Sequence, residues 1–267
     1  MEKVCIIYNE DKNEARDLYE ESYNFFREKG IDILNLEELE KCTLAIVIGG
    51  DGTLLRASKK LLKNQNLNVI AINAGSLGFL TEIKKEDAIE TYQRYLDGNY
   101  TIEERKYLEV KVREKTLNVL NELVISKGGV RTKMLRIDVT SKSDYINTYR
   151  ADGVIFSTPT GSTAYSLSAG GPIVVPTLKA LIITPIAPHN LTARPIVIDG
   201  REELEIKISE ENRMGYLIID GETCYKIDNK DKIILKYSPL KLKLVLPTER
   251  SYYNVLREKL KWGDNLC

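Results

Sequence analysis

Leu44-Ala-Ile-Val-Ile-Gly-Gly-Asp-Gly-Thr53, followed by Leu54-Leu-Arg-Ala-Ser58, is the stretch on which the reading of this chain turns. The unbroken apolar run from Leu44 to Ile48 predicts a strand buried on both faces, because a half-exposed strand alternates with polar residues. Gly49 and Gly50 end the strand. Asp51 and Thr53 stand where a helix begins, with Leu54, Leu55, Ser58, Leu61 and Leu62 as its buried stripe. A glycine turn leading into a helix N-terminus offers free N–H groups and partial positive charge, which suits phosphate. The carboxylate of Asp51 inside that cradle sets it apart from an ordinary dinucleotide turn. Two readings stand side by side: a structural corner with Asp51 as N-cap, or a phosphate site whose acid accepts a proton or holds a metal.

Working outward, the pattern predicts strands at Lys3 to Tyr8, Ile31 to Leu36 and Val69 to Ile72, and helices at Asn13 to Lys29 and Glu86 to Leu96. Alternating strands and helices predict a parallel, Rossmann-like sheet with ligands beyond the carboxyl ends of its strands. That rule sets Gly49 to Thr53 and Asn73-Ala-Gly-Ser-Leu-Gly-Phe-Leu80 on one rim. After about residue 98 the segments become short and strand-like, including Tyr100 to Val112, Thr116 to Ser126, Leu135 to Ser141, Gly215 to Asp220 and Lys232 to Tyr237. They predict a C-terminal β-sandwich domain. Tyr252 to Trp262 reads as a helix with Tyr252, Leu256 and Leu260 inward. The expected domains are 1–98 plus about 245–267, α/β, and 99–244, β-sandwich.

Composition narrows the class. The 267 residues carry 39 basic and 39 acidic side chains, so no global field draws the chain to nucleic acid or membrane. No apolar stretch approaches the ~20 residues that span a bilayer. The start, Met1-Glu-Lys-Val-Cys5, enters a strand without the shape of a signal peptide. Cys5, Cys42, Cys224 and Cys267 show no metal-type pairing, and a cytoplasmic location is expected. His189 is the single histidine, and no Cys/His spacing supports zinc.

Several polar groups interrupt the β pattern. Asn121 and Glu122 sit in Leu120-Asn-Glu-Leu-Val-Ile125, where a polar pair needs partners. They are either strand residues bonded to neighbouring backbone, or an amide and a carboxylate that recognise a nucleoside. Thr158-Pro-Thr-Gly-Ser-Thr-Ala-Tyr-Ser-Leu-Ser-Ala-Gly-Gly-Pro172 is rich in hydroxyls and small residues, as a surface loop or a close ligand contact would be. Arg150 and Asp152 precede it and read on their own as a solvated pair. Asp220-Gly-Glu222 reads as a hairpin turn.

Gly49 to Thr53 resembles the phosphate loop of NAD kinases, diacylglycerol and sphingosine kinases and, distantly, phosphofructokinases. Asn121-Glu122, the Thr158 to Pro172 string and Ala187-Pro-His-Asn-Leu-Thr-Ala-Arg-Pro195, in that order, are similar to bacterial NAD kinases. The resemblance implies phosphorylation of the 2′-hydroxyl of the adenosine ribose of NAD to give NADP, with Asp51 as general base. ATP or polyphosphate would be the donor, with Mg²⁺ or another divalent cation, and no Walker loop holds it. Ligand contacts are then expected at Gly52, Arg56, Asn73 and Phe79 in the first domain. In the second they fall on Asn121, Glu122, Arg150, Asp152, Thr163, Ala164, Tyr165, Ser166, Ser168, Ala187 and Glu222. Lys133 and Arg131 would reach the phosphates of a neighbouring subunit, since the family forms dimers and tetramers. The rivals are a lipid kinase of the diacylglycerol type and a non-catalytic dinucleotide sensor. Asp51→Asn is expected to keep the helix start with little loss of stability.

Overall fold

The computed structural model describes residues 2–128, 133–142, 144–209 and 214–261, and the chain forms two compact units. One comprises Met1–Arg105 with Leu240–Cys267, the other Lys106–Pro239. In chain order the elements are β1 (Lys3–Tyr8), α1 (Asn13–Glu28), β2 (Asp32–Ile33), β3 (Leu44–Gly49), α2 (Asp51–Leu61), β4 (Asn68–Asn73), β5 (Ile83–Lys84) and α3 (Ala88–Leu96). They continue with β6 (Thr101–Val112), β7 (Lys115–Val119), β8 (Glu122–Ser126), β9 (Leu135–Ser141), β10 (Tyr145–Ala151), β11 (Gly153–Ser157), α4 (Tyr165–Ser168) and β12 (Ala180–Ile186). β13 (Ile196–Asp199), β14 (Leu204–Ile208), β15 (Gly215–Ile219), β16 (Thr223–Ile227), β17 (Ile233–Leu246) and α5 (Tyr252–Leu260) complete the chain.

The first unit is built on parallel strands in the order β2-β1-β3-β4, with β5 and the end of β17 also parallel to β4. Every residue of β3 is buried, as its apolar run requires. Phe26 and Leu18 from α1 and Tyr92 and Tyr95 from α3 complete its core with Ile46, Ile48, Ile70 and Ile72. Parallel strands with helical crossovers leave the C-terminal ends of β3 and β4 side by side, with Gly49 opposite Asn73. This rim carries the cradle.

The second unit is antiparallel throughout. One sheet runs β13-β12-β11-β8-β15-β16, and β10-β9-β14-β17 forms another. Side chains of both, among them Ile125, Phe156 and Ile183 with Ile137, Ile206 and Leu235, share one buried core, which makes a β-sandwich.

Several local expectations are corrected. Strand Ile31 to Leu36 is only Asp32–Ile33, because Leu36–Lys41 coils into a 3₁₀ segment. Thr116 to Ser126 is two strands, broken at Leu120-Asn121. β11 and β16 were not foreseen, since Gly153 and the alternating exposed residues of β16 weaken their patterns. In α5 the buried side chains are Val255 and Leu256, whereas Leu260 is exposed and Tyr252 half-buried. Trp262, Arg131 and Cys267 lie outside the described residues.

Candidate functional site

At the cradle, Gly50 rather than Asp51 is the N-cap of α2, and Asp51 is the first helical residue. Its carboxylate does not cap the helix. It faces the loop after β4 and gathers that loop's donors. Phe79 N–H donates to Oδ2 at 2.8 Å, and Leu80 and Thr81 N–H donate to Oδ1 at 3.1 and 2.9 Å. The Thr81 hydroxyl donates to Oδ1 at 2.9 Å and accepts from Asn73 Nδ2 at 2.8 Å. The remaining oxygen of Asn73 accepts Gly75 N–H at 2.7 Å. Gly78 lets the loop pass this close: a Cβ there would sit 1.9 Å from Asp51 Oδ1.

This geometry overturns the expectation for Asp51→Asn. An amide supplies one acceptor oxygen, and its NH₂ would face an N–H donor. The substitution therefore costs loop order, of order 1–3 kcal/mol for a donor left unmatched. Asp51 and Asn73 thus meet through Thr81, which the sequence pattern did not single out, while Phe79 reaches Asp51 directly through its N–H. Gly52 is exposed beside Asp51, and Arg56 is exposed one helical turn on.

In the second unit the organising residue is Asp220, which the sequence marked only as part of a turn. Ile219 to Glu222 is a tight hairpin turn with φ of +48° at Asp220 and +68° at Gly221, closed by Glu222 N–H on the Ile219 carbonyl at 3.0 Å. The Asp220 carboxylate reaches back about a hundred residues in sequence to accept the N–H groups of Leu120, Asn121 and Glu122 at 3.0, 2.8 and 3.2 Å. It occupies the backbone at the break between β7 and β8. On the other side, Thr158 donates its hydroxyl to the Leu120 carbonyl at 2.6 Å and its N–H to the Asn121 carbonyl at 2.9 Å.

The side chains so held are 7% and 5% exposed, yet Asn121 Oδ1 and Glu122 Oε2 have no hydrogen-bond partner among the described residues. Burial, reinforced by the Asp220 carboxylate, pushes the Glu122 carboxyl up to about 8. The carboxylate expected from sequence is thus a neutral carboxyl at pH 7, able to donate as well as accept. An acid whose pKa rises on folding favours the folded state at low pH and loses that contribution as pH climbs toward the folded value. Glu122 is therefore expected to lower stability progressively between its ordinary 4.5 and about 8, by at most ~1.4 kcal/mol per pH unit. Melting curves of unliganded protein from pH 5 to 8 should show this decline, and Glu122→Gln should flatten it. An identical slope in the variant would exclude Glu122 as its source.

The hydroxyl-rich string divides into inward and outward residues. Ser162 is buried and ties Pro159 and Val174 together through its hydroxyl. Ser166 is buried against Thr184 Oγ1 at 2.9 Å, so its hydroxyl serves the fold. Thr163 and Ala164 are half-buried, and Tyr165 and Ser168 are exposed. Asp152 pairs with Lys127 Nζ at 2.6 Å, the ion-pair alternative. Arg150 is exposed, and its carbonyl accepts the His189 N–H at 2.8 Å. Ala187 is exposed with φ of +42°, an uncommon conformation for alanine. Lys133 and Glu222 are also exposed.

Among the described residues no three His, Cys, Asp or Glu side chains cluster as a metal cage. Asp51 is a lone carboxylate whose oxygens already accept N–H groups. The donor set does not fit a resident metal ion. Mg²⁺ bound chiefly by substrate phosphates needs no such cage.

Comparison with known proteins bears on the same stretches. The ATP-NAD kinase N-terminal domain matches residues 34–100, and the ATP-NAD kinase C-terminal domain matches residues 120–246. An NAD kinase of Fusobacterium nucleatum is 45% identical over 268 residues, covering 100% of both chains. One from Pseudomonas entomophila is 41% identical over 233 residues, 85% of this chain and 78% of that one. Among solved structures, yeast NADH kinase complexed with NADH superposes with a TM-score of 0.90 at 23% identity, covering 100% of this chain and 89% of that one. An NAD kinase from Archaeoglobus fulgidus in complex with ATP gives 0.81 at 23% identity, covering 97% and 98%. These two likenesses concern the fold.

Proposed function

Because the chain belongs to the ATP-NAD kinase family, we propose that Asp51 is the base of its phosphoryl transfer. The chain is a phosphotransferase that converts NAD to NADP with ATP as donor. In this reading the 2′-hydroxyl of the adenosine ribose attacks the terminal phosphorus of ATP, and the bond to ADP breaks. The hydroxyl proton passes to Asp51 Oδ2. That oxygen accepts one hydrogen bond, from Phe79, and keeps a lone pair, while Oδ1 is fully engaged by the loop. The observation that carries the reading is this fixed carboxylate at the start of α2, beside glycines that present phosphate-binding N–H groups. A divalent cation enters with the ATP phosphates, whose charge it offsets.

Asn121 and Glu122 take the nucleoside in this account, their buried and unpartnered oxygens supporting the assignment. Gly52, Arg56, Asn73 and Phe79 surround the phosphates. Thr163, Ala164, Tyr165, Ser168, Arg150, Asp152, Ala187 and Glu222 complete the dinucleotide contacts. Ser166 acts indirectly, by holding α4 to Thr184. The test is incubation with ATP, Mg²⁺ and NAD, scored by a dehydrogenase that uses only NADP. Substituting polyphosphate for ATP in the same assay reads donor choice. No NADP from folded protein would refute the activity.

We further place the chain in the cytoplasm, where free thiols such as Cys5, Cys42 and Cys224 persist. No described helix is long and apolar enough to cross a membrane, and neither membrane nor nucleic acid is a proposed partner. A homo-oligomer, a dimer or tetramer, is proposed through the second unit. Its support is β13, the edge of a six-stranded sheet, where Ile196 and Val197 are 42% and 45% exposed near Leu191 at 86%. Sedimentation at micromolar concentration should show the oligomer, and Val197→Lys should weaken it. A fully active monomer would exclude the assembly.

A further inference from the structure

We propose that the segment Arg250–Lys259 is a two-point clamp that positions the loop Leu77–Glu82 and, through it, the carboxylate of Asp51. The proposal rests on the reading of Asp51 as the base, and it concerns residues that do not themselves touch the reacting atoms. The loop has little regular structure of its own. Besides its contacts with Asp51 and Asn73, its internal hydrogen bond is Gly78 N–H on the Thr81 carbonyl at 3.2 Å. Its order must come from what grips it.

Two cations from the end of the chain do so. At one end of the loop, Lys259 Nζ donates to the Leu77 carbonyl and lies 5.8 Å from the centroid of the Phe79 ring. At the other end, Arg250 Nε donates to Glu82 Oε2 at 2.5 Å. Glu82 is 3% exposed and immediately follows Thr81, whose N–H and hydroxyl both reach Asp51. The other Glu82 oxygen meets Arg105, which is 1% exposed, at 3.5 Å. Arg105 in turn pairs with Glu103 at 2.6 Å. Burial raises the Glu82 pKa against the opposing pull of both arginines, and the Arg250 guanidinium holds this carboxyl group in place. Between the two grips lie the three N–H groups that fix Asp51.

Such a clamp needs no contact with substrate to affect rate. A small misplacement of a base relative to a hydroxyl costs turnover steeply. Arg250 and Lys259 are therefore positioning residues, and the segment made of Arg250 and the following helix α5 is coupled to catalysis by these two side chains rather than by apolar packing alone.

The test compares Arg250→Met, Arg250→Lys and Lys259→Met with the wild type, measuring kcat for NAD phosphorylation and hydrogen exchange of the amides of residues 79–81. Arg250→Met and Lys259→Met are expected to lower kcat about tenfold, below the loss for a fully misplaced base. Exchange at 79–81 should quicken by about tenfold while the strands of the first unit keep their protection. Arg250→Lys should recover most of both. If Arg250→Met does not fold, Lys259→Met decides, because it keeps much of the stem of the side chain and breaks no ion pair among the described residues. Unchanged exchange at 79–81, or faster exchange spread evenly over the unit, would overturn the clamp. So would faster local exchange with wild-type kcat, provided Asp51→Asn is inactive. If Asp51→Asn itself retains wild-type turnover, the failure belongs to the base assignment, and exchange alone still tests the grip on the loop.

Discussion

Gly78→Ala is expected to lower turnover by about 10²-fold or more, the scale of a misplaced catalytic group. The added methyl would meet Asp51 Oδ1 at 1.9 Å, Asp51 Cγ at 2.5 Å and Thr81 Oγ1 at 2.6 Å. A flexible surface side chain would swing away. This carboxylate is held by three N–H groups and a hydroxyl, so either it leaves its place or the loop does. Relieving the overlap should cost about 1–3 kcal/mol of stability, as overpacking of a tight site does. Thermal melting and steady-state kinetics on one preparation check both numbers. A Gly78→Ala protein with wild-type turnover would show that the position of the carboxylate does not matter to the reaction.

Asp51→Asn carries the second large effect, a loss in turnover of roughly 10²–10⁴-fold as is typical when a general base is removed. Two contributions add. The amide cannot accept the proton at neutral pH, and its NH₂ opposes the N–H of Phe79 or of Leu80 and Thr81. The second contribution also lowers the melting temperature, unlike a substitution at a simple helix cap. Disturbing the loop while keeping the base separates them. Thr81→Ser keeps the hydroxyl donor and the N–H, and is expected to retain most activity. Thr81→Val loses the hydroxyl and should fall between wild type and Asp51→Asn.

The parts of this molecule that could be read in its sequence are those set by local pattern. The apolar run of β3, the glycines after it and the helix stripe of α2 gave the strand, the turn and the helix start in their places, because each depends on residues within one turn or one strand. Asn121 and Glu122 stood out as polar residues in an apolar run, and they are buried. What was illegible depends on partners distant in the chain. The role of Asp51 as acceptor for Phe79, Leu80 and Thr81 follows from how the loop after β4 returns to α2, not from the spacing of Gly49 to Thr53. Asp220 looked like one more turn residue, and its Asp-Gly signal was correct as far as it went. Nothing local announces that its carboxylate holds the backbone of Leu120 to Glu122. In the same way the hydroxyl string hid its division of labour. Ser166 and Ser162 bond within the fold, while Tyr165 and Ser168 face outward, and composition alone treats them alike. The stripe of α5 was right at Leu256 and wrong at its ends, because Val255, adjacent in sequence, shares the buried face instead of the spaced Leu260.

The most direct measurement is single-turnover transfer from ATP to saturating NAD in wild type and Asp51→Asn, with the NAD dissociation constant determined on the same folded preparations. The account predicts that the transfer step slows by roughly 10²–10⁴-fold, while NAD affinity changes by less than about tenfold, since a neutral amide still offers the ribose a hydrogen bond. An Asp51→Asn protein that transfers phosphate within a few-fold of the wild-type rate at full NAD occupancy would contradict it.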